Sequence, residues 1–183
     1  LERFGEELIN RSDFISFFKS HLPKTSFDTL MKNRDLDLGL SLSSTERFRL
    51  NFGFEQGNIT MVARKVPSGA VSFSDLDLPP IVEKLAQEAR GIILITGATG
   101  SGKSTTMAAL LHYMNNNYQR HIVTLEDPIE FVHIENKCHI TQREIGNDTK
   151  DFSSALRHVV RQSPDVIFIG EMRDLETIRT ALT

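Results

Sequence analysis

The stretch that most constrains this chain is TGATGSGKSTT at residues 96–106, which follows directly on the apolar run Ile92–Ile95. Within it, GATGSGKS (97–104) satisfies the pattern G-x-x-x-x-G-K-[ST]. At average composition a chance match arises in roughly one chain of this length in a hundred. The strand-like run before it and the helix-like pattern after it are the context the motif requires. Gly97, Gly100 and Gly102 permit backbone angles that aim successive N–H groups at one point, an anion nest. The helix expected from Lys103 adds the positive end of its dipole to the same point. Lys103 can reach the β- and γ-phosphates, and the Ser104 hydroxyl can ligate Mg²⁺. Gly97, Ala98, Thr99, Gly100, Ser101, Gly102, Lys103, Ser104 and Thr105 are therefore the expected cradle for a nucleoside triphosphate.

Two acidic segments accompany the cradle. In VRQSPDVIFIGEMRD (160–174) the apolar run Val166–Ile169 ends at Gly170 and Glu171. An acid at the end of a strand neighbouring a phosphate loop holds the metal's water shell or polarises the attacking water, and Glu171 is the candidate. Asp165 precedes the strand, at the end away from the phosphates, and reads as a turn or surface residue. In TLEDPIEF (124–131), Glu126, Asp127 and Glu130 follow the run Ile122–Leu125. Strand C-terminal ends are where α/β proteins bind ligands, so a role around Mg²⁺ and water is favoured over a plain acidic loop.

The 183 residues correspond to about 1.2 typical domains. Hydrophobic residues at 39% and charged residues at 25% indicate a globular chain. The net charge of −3 argues against a general nucleic-acid or membrane-surface binder. A single cysteine, Cys138, precludes an internal disulfide and fits a reducing compartment. Apolar runs reach only five residues, which predicts no membrane insertion. Both ends look cut: the chain does not begin with Met, and DLETIRTALT reads as an unfinished helix.

Nine of the twelve phenylalanines fall before residue 90, whereas the cradle glycines fall after it, which suggests two units with different cores. In the first, residues 6–19 read as an amphipathic helix (Leu8, Ile9, Phe14, Ile15, Phe17, Phe18) ending before Pro23. Residues 35–42 alternate with Leu36, Leu38, Leu40 and Leu42 on one face, and residues 47–54 with Phe48, Leu50, Phe52 and Phe54. A turn at Gln56–Asn58 leads to a third run, Ile59–Val66, and the three predict an antiparallel meander with one helix-covered face. Residues 67–80 read as a linker, followed by a helix from about Pro80 to Arg90 with Gly91 as its stop. In the second unit, strands at Ile92–Thr96, Ile122–Leu125 and Val166–Ile169 alternate with helices near 103–115 and 151–162, which predicts an α/β fold with a parallel sheet.

With these segments in view, the chain resembles the type II/type IV secretion ATPase superfamily. GATGSGKSTT resembles its Walker A loop, TLEDPIEFVH its acidic box, and RQSPDVIFIGEMRD its Walker B signature. The spacer QREIGNDTKDFSSALRHVVRQ and the upstream RFRLNF and RKVP extend the likeness over most of residues 35–183. The wording GEMRDLETIRTALT is most similar to the pilus-retraction, or twitching-motility, branch. The resemblance implies a PAS-like α+β domain and linker over residues 1–78, then the N-terminal part of a RecA-like ATPase domain over 79–183. It implies a hexameric homo-oligomer that hydrolyses ATP with Mg²⁺ in the cytoplasm. The motor would sit at the inner membrane through a platform protein, with no nucleic-acid partner. Lys103 and Ser104 would bind phosphates and Mg²⁺, and Glu171 would be the catalytic acid. Glu126 and Glu130 would organise metal and water, and Arg49 and Arg64 would reach toward the phosphates. From the residues alone, Arg47, Arg49 and Arg64 are cations on a solvated strand face.

The superfamily's histidine box, the last strands of its motor sheet and its C-terminal helical region have no counterpart before Thr183. Phe168 stands where the Walker B strand usually carries an aliphatic residue. The six histidines show no metal-ligand spacing, and nothing marks Cys138 as an activated thiol. The expected function is an ATP-driven motor of pilus retraction. The alternatives are a pilus-assembly or secretion ATPase, or a slow nucleotide-switched binding module.

Overall fold

The computed structural model describes residues 10–69 and 71–182. They form two compact units, one made of the described residues up to Leu40 with Phe48–Arg64, the other of Ser41–Arg47 with the residues from Lys65 onward. Among the described residues no helix is long and apolar enough to cross a membrane.

Helix α1 (Arg11–His21) starts where the Asn10 side chain accepts the Asp13 N–H at 2.9 Å. Leu8 and Ile9, expected on this helix, lie outside the described residues. The proline at 23 holds Leu22 extended (φ −116°, ψ 155°) and so ends α1. A second helix not expected from the sequence, α2 (Lys24–Asn33), begins immediately after Pro23, which acts as its N-cap rather than only as a stop. Strands β1 (Leu36–Ser41), β2 (Arg47–Glu55) and β3 (Asn58–Val66) pair in that order. Gln56 and Gly57, both at positive φ (49° and 84°), form the two-residue turn that joins β2 to β3. A connection this short forces the two strands antiparallel.

The alternation predicted for these strands is what packs. Leu36, Leu38, Leu40, Phe48, Phe54, Ile59 and Met61 close around buried Phe18, Leu30, Leu50 and Phe52. Phe18 meets Phe52 edge-on with ring centroids 5.0 Å apart. Leu42 is the exception. The strand ends before it, its N–H bonds to the Glu46 carbonyl across the hairpin, and its side chain is exposed.

In the second unit, the described residues of 67–80 carry no helix beyond one 3₁₀ turn, and Pro67 and Gly69 bond to the backbone of Val132. Helix α3 (Ile81–Gln87) is shorter than expected because Glu88 turns extended. Helix α4 (Lys103–Asn117) and helix α5 (Phe152–Val159), the latter prolonged by a 3₁₀ turn to Gln162, fall where the sequence predicts them. Helix α6 (Leu175–Ala181) is capped by Asp174, whose carboxylate accepts the Thr177 N–H at 2.7 Å.

The sheet of this unit is parallel and three-stranded, as expected, but its membership differs. Strands β4 (His121–Glu126), β5 (His139–Glu144) and β6 (Val166–Ile169) run in the order β5-β4-β6. Strand β5 is not expected from the sequence. The predicted strand at Ile92–Thr96 is not formed. Among the described residues no backbone hydrogen bond links this segment to β6, and a groove of about 300 Å³, lined by Ile92–Leu94 and Val166–Ile169, separates the two. An apolar run becomes a strand only where a neighbouring ladder satisfies its N–H and C=O groups. Ile92 and Leu94 remain 52% and 63% exposed.

Both faces of the sheet are covered. Val123, Leu125, Ile167 and Ile169 pack against Ala155, Leu156 and Val159 of α5. On the other face Ile122, Ile140, Val166 and Phe168 meet Leu110, Leu111 and Met114 of α4, with Phe168 accommodated in that cluster. Helices on two faces explain why these strands read as short continuous apolar runs.

Candidate nucleotide-binding site

The glycine-rich loop takes the backbone its composition predicts. Gly97, Gly100 and Gly102 have φ of 153°, 78° and 91°. A Cβ on Gly97 would lie 2.7 Å from the Ser101 hydroxyl, so a larger residue there would have to displace that hydroxyl and hold a strained backbone. The Ser101 N–H bonds to the Ala98 carbonyl at 3.2 Å, closing the turn. Gly102 caps α4, which places Lys103, Ser104 and Thr105 in the helix's first turn, at its positive end. Thr99 sits at the exposed tip of the loop. The Lys103 ammonium folds back onto the loop, donating to the Ala98 carbonyl at 2.8 Å.

Lys103, Ser104, Glu126, Glu130 and Glu171 line one cleft of about 320 Å³. Two strand ends deliver the acids. The Gly170 N–H bonds to the Leu125 carbonyl at 2.8 Å, and a Cβ at Gly170 would stand 3.3 Å from that oxygen and 3.4 Å from the Glu126 Cα. The missing side chain lets the end of β6 come against the end of β4, bringing Glu171 beside Glu126. Glu171 accepts from Arg173 Nη2 at 2.8 Å, and that arginine is 82% exposed.

Glu126 is buried, with 5% exposure. Its Oε1 accepts from the Thr124 hydroxyl at 2.7 Å and from Gln142 Nε2 at 3.1 Å, while Oε2 accepts the Glu130 N–H at 3.3 Å. Burial pushes its carboxyl above the ordinary range, an effect offset in part by those three donors and reinforced by the Glu130 charge. Glu130 and Asp127 are exposed, and the Asp127–Pro128 peptide is cis. Nearby, His133 is held down to about 4 by burial and by the proximity of His112.

Not all of the expected residues belong to the unit that holds the cleft. Arg49 on β2 and Arg64 on β3 belong to the first unit, whereas the loop and its acids belong to the second. Arg47, grouped with the second unit, donates to Glu144 at 2.7 Å, and Glu144 also accepts the Ile129 N–H at 3.0 Å. Asp165 accepts the His121 N–H at 2.7 Å and returns its own N–H to the His121 carbonyl, which ties the start of β6 to the start of β4. The Cys138 thiol donates to the Tyr118 carbonyl at 3.1 Å, and burial raises its pKa, which keeps it protonated. Sequence reasoning does not reach Thr124, Gln142 or Glu144, polar residues on strands β4 and β5. Two signals mark them: the strand-forming stretch HITQRE carries polar residues where an inward face should be apolar, and all three residues fall inside segments that resemble the superfamily, TLEDPIEFVH and the spacer that begins QRE.

A glycine loop opening a helix beside acid-tipped parallel strands defines the P-loop class of nucleotide-binding folds. The chain belongs to the type II/IV secretion system protein family, whose model matches residues 63–183. It is 46% identical over 149 residues to the type IV pilus retraction ATPase PilT of Pseudomonas aeruginosa, covering 81% of this chain and 43% of that protein. It is 47% identical over 153 residues to a twitching motility protein of Neisseria gonorrhoeae, covering 83% and 41%. A solved structure of the pilus retraction motor PilT with bound ADP matches with a TM-score of 0.86 at 42% identity, covering 93% of this chain and 50% of that one. The chain thus spans about half the length of these relatives or less.

Proposed function

We propose that this chain is part of an ATP-hydrolysing motor of type IV pilus retraction. The observation that carries the reading is the single cleft on which Lys103, Ser104, Glu126 and Glu171 converge at the mouth of a glycine-rich loop. The likeness to pilus-retraction relatives supports the choice of machine. In this reading Lys103 exchanges the Ala98 carbonyl for phosphate oxygens, and the loop N–H groups and the α4 dipole hold the remaining negative charge. Glu171 leaves its exposed partner Arg173, a pairing of little energetic weight, and orients the attacking water.

The donor set fits Mg²⁺, a hard cation that takes oxygen ligands. Ser104, Glu126 and Glu130 offer only oxygens, and among the described residues no group of three or more acidic, histidine or cysteine side chains forms a cage. An ion here would complete its shell with phosphate and water, as Mg²⁺ prefers. When bound it would neutralise charge on the β- and γ-phosphate oxygens.

Residues 1–78 are assigned to a PAS-like domain and linker and residues 79–183 to the first part of a RecA-like motor domain, with Arg49 and Arg64 reaching a nucleotide's phosphates. The whole protein is a hexamer in the cytoplasm, held at the inner membrane by a platform protein. A pilus-assembly or secretion role is the second reading, because the family model spans both type II and type IV systems. The test is ATP turnover by the full-length protein. Lys103→Ala and Glu171→Gln should each cut kcat by at least ~100-fold, and activity surviving both substitutions would reject the assignment.

A further inference from the structure

We infer that Thr124 and Gln142 are positioning residues that select which oxygen of Glu126 faces the nucleotide. The inference rests on the ATPase reading above. Thr124 and Glu126 are two residues apart on β4 and so share a face. Gln142 on β5 is the register partner of Thr124, so its side chain stands on that same face. Thr124 is completely buried. Its hydroxyl has one proton, and that proton goes to Glu126 Oε1 at 2.7 Å.

Gln142 has no hydrogen-bonding capacity to spare for another orientation. Its Nε2 donates to Glu126 Oε1 at 3.1 Å and to the Phe131 carbonyl at 2.8 Å, while its Oε1 accepts the His133 N–H at 2.8 Å. A flipped amide would set donor against donor at His133 and acceptor against acceptor at Glu126 and Phe131. The amide is therefore locked, and with it the carboxylate. Two donors engage Oε1, while Oε2 receives only the longer Glu130 N–H contact at 3.3 Å. Oε2 is the oxygen with lone pairs left for water, metal or substrate. Glu126 lines the cleft, whereas neither Thr124 nor Gln142 does, so both act through Glu126.

A buried carboxylate without these donors would have to reorganise in every catalytic cycle, whereas a preorganised one avoids that cost. Removing such a supporting group typically costs ~10–100-fold in activity. The experiment uses the full-length protein, with ATPase turnover read beside direct binding of a fluorescent ATP analogue. Thr124→Val and Gln142→Met should each lower kcat by ~10-fold or more, with analogue affinity and KM left within about twofold. Thr124→Ser, which retains the hydroxyl, should recover most of the turnover lost in Thr124→Val. The double variant should lose little more than the worse single one, because both act on one carboxylate.

Unchanged kcat in both single variants overturns the inference. So does a parallel loss of kcat, analogue affinity and thermal stability with no recovery in Thr124→Ser, since that pattern belongs to general packing. If Gln142→Met fails to fold by circular dichroism, the Val and Ser variants at 124 decide alone. Lys103→Ala separates the two levels. Wild-type hydrolysis that Lys103→Ala abolishes leaves the ATPase reading standing whatever the Thr124 variants do, and a wild type that does not turn over ATP removes both.

Discussion

Each unit is built on a three-stranded sheet, yet the inner faces differ along their length. In the first unit the inward positions of β2 are Phe48, Leu50, Phe52 and Phe54, apolar throughout. Along β4 the positions facing α4 run Ile122, Thr124, Glu126, from the apolar cluster under α4 to a buried carboxyl beside the glycine loop. The paired positions on β5, Ile140, Gln142 and Glu144, follow the same gradient. The first sheet uses its whole face for burial. The second gives up apolar area at the C-terminal ends of its strands, where ligands bind in parallel sheets, and replaces it with hydrogen bonds in fixed positions. Buried polar groups of this kind contribute less to stability than the same area of hydrocarbon, but they fix geometry.

The largest effect is expected where the comparison is most one-sided. Phe52→Ala removes a fully buried ring from between Phe14 and Phe18 and should destabilise the first unit by about 3–5 kcal/mol. Urea denaturation followed by far-UV circular dichroism measures it, and a loss below about 1 kcal/mol would mean that this face does not hold the unit together. A smaller effect, of opposite character, belongs beside the polar sheet, at His133, whose N–H bonds to Gln142 of β5. His133 is lowered from its ordinary 6.5 to about 4, so between those values the unfolded chain binds a proton that the native chain refuses. Stability should therefore fall as pH drops from about 6.5 toward 4, by about 3 kcal/mol. That slope should flatten in His133→Gln in the same titration. The smallest effect is at the surface. The exposed Lys65–Glu46 pair, at 3.7 Å, should be worth less than about 0.5 kcal/mol in a double-mutant cycle and should vanish in high salt.

The same difference explains what the sequence reveals. Strands β1 to β3 are legible because leucine and phenylalanine alternate along them. Strand β5 is not, because its inward residues after Ile140 are glutamine and glutamate, so hydrophobic periodicity has nothing to detect. Ile92–Thr96 errs in the other direction. Its composition is that of a buried strand, but pairing depends on a neighbour, and no composition reports whether one is in reach. Helix α2 is hidden by Pro23, which ends one helix and starts another. In the site, the loop glycines, Lys103, Ser104 and the four acids on the cleft, Glu126, Asp127, Glu130 and Glu171, are legible because each stands in a local motif. Thr124 and Gln142 are separated by a crossover and become neighbours only through strand register. A pattern read along one segment cannot show a relation between two.

The segment before the loop has a further consequence. The glycine loop before Lys103 enters from five residues, 92–96, that no sheet ladder holds among the described residues, whereas it leaves through the fifteen residues of α4. Hydrogen exchange should find the amides of 92–96 far less protected than those of β4. Ligand that immobilises the loop then has an ordering cost to meet on one side only. Whatever comes to pair with the free edge of β6 would meet part of that cost in advance, so it would tighten nucleotide binding and be tightened by it in equal measure.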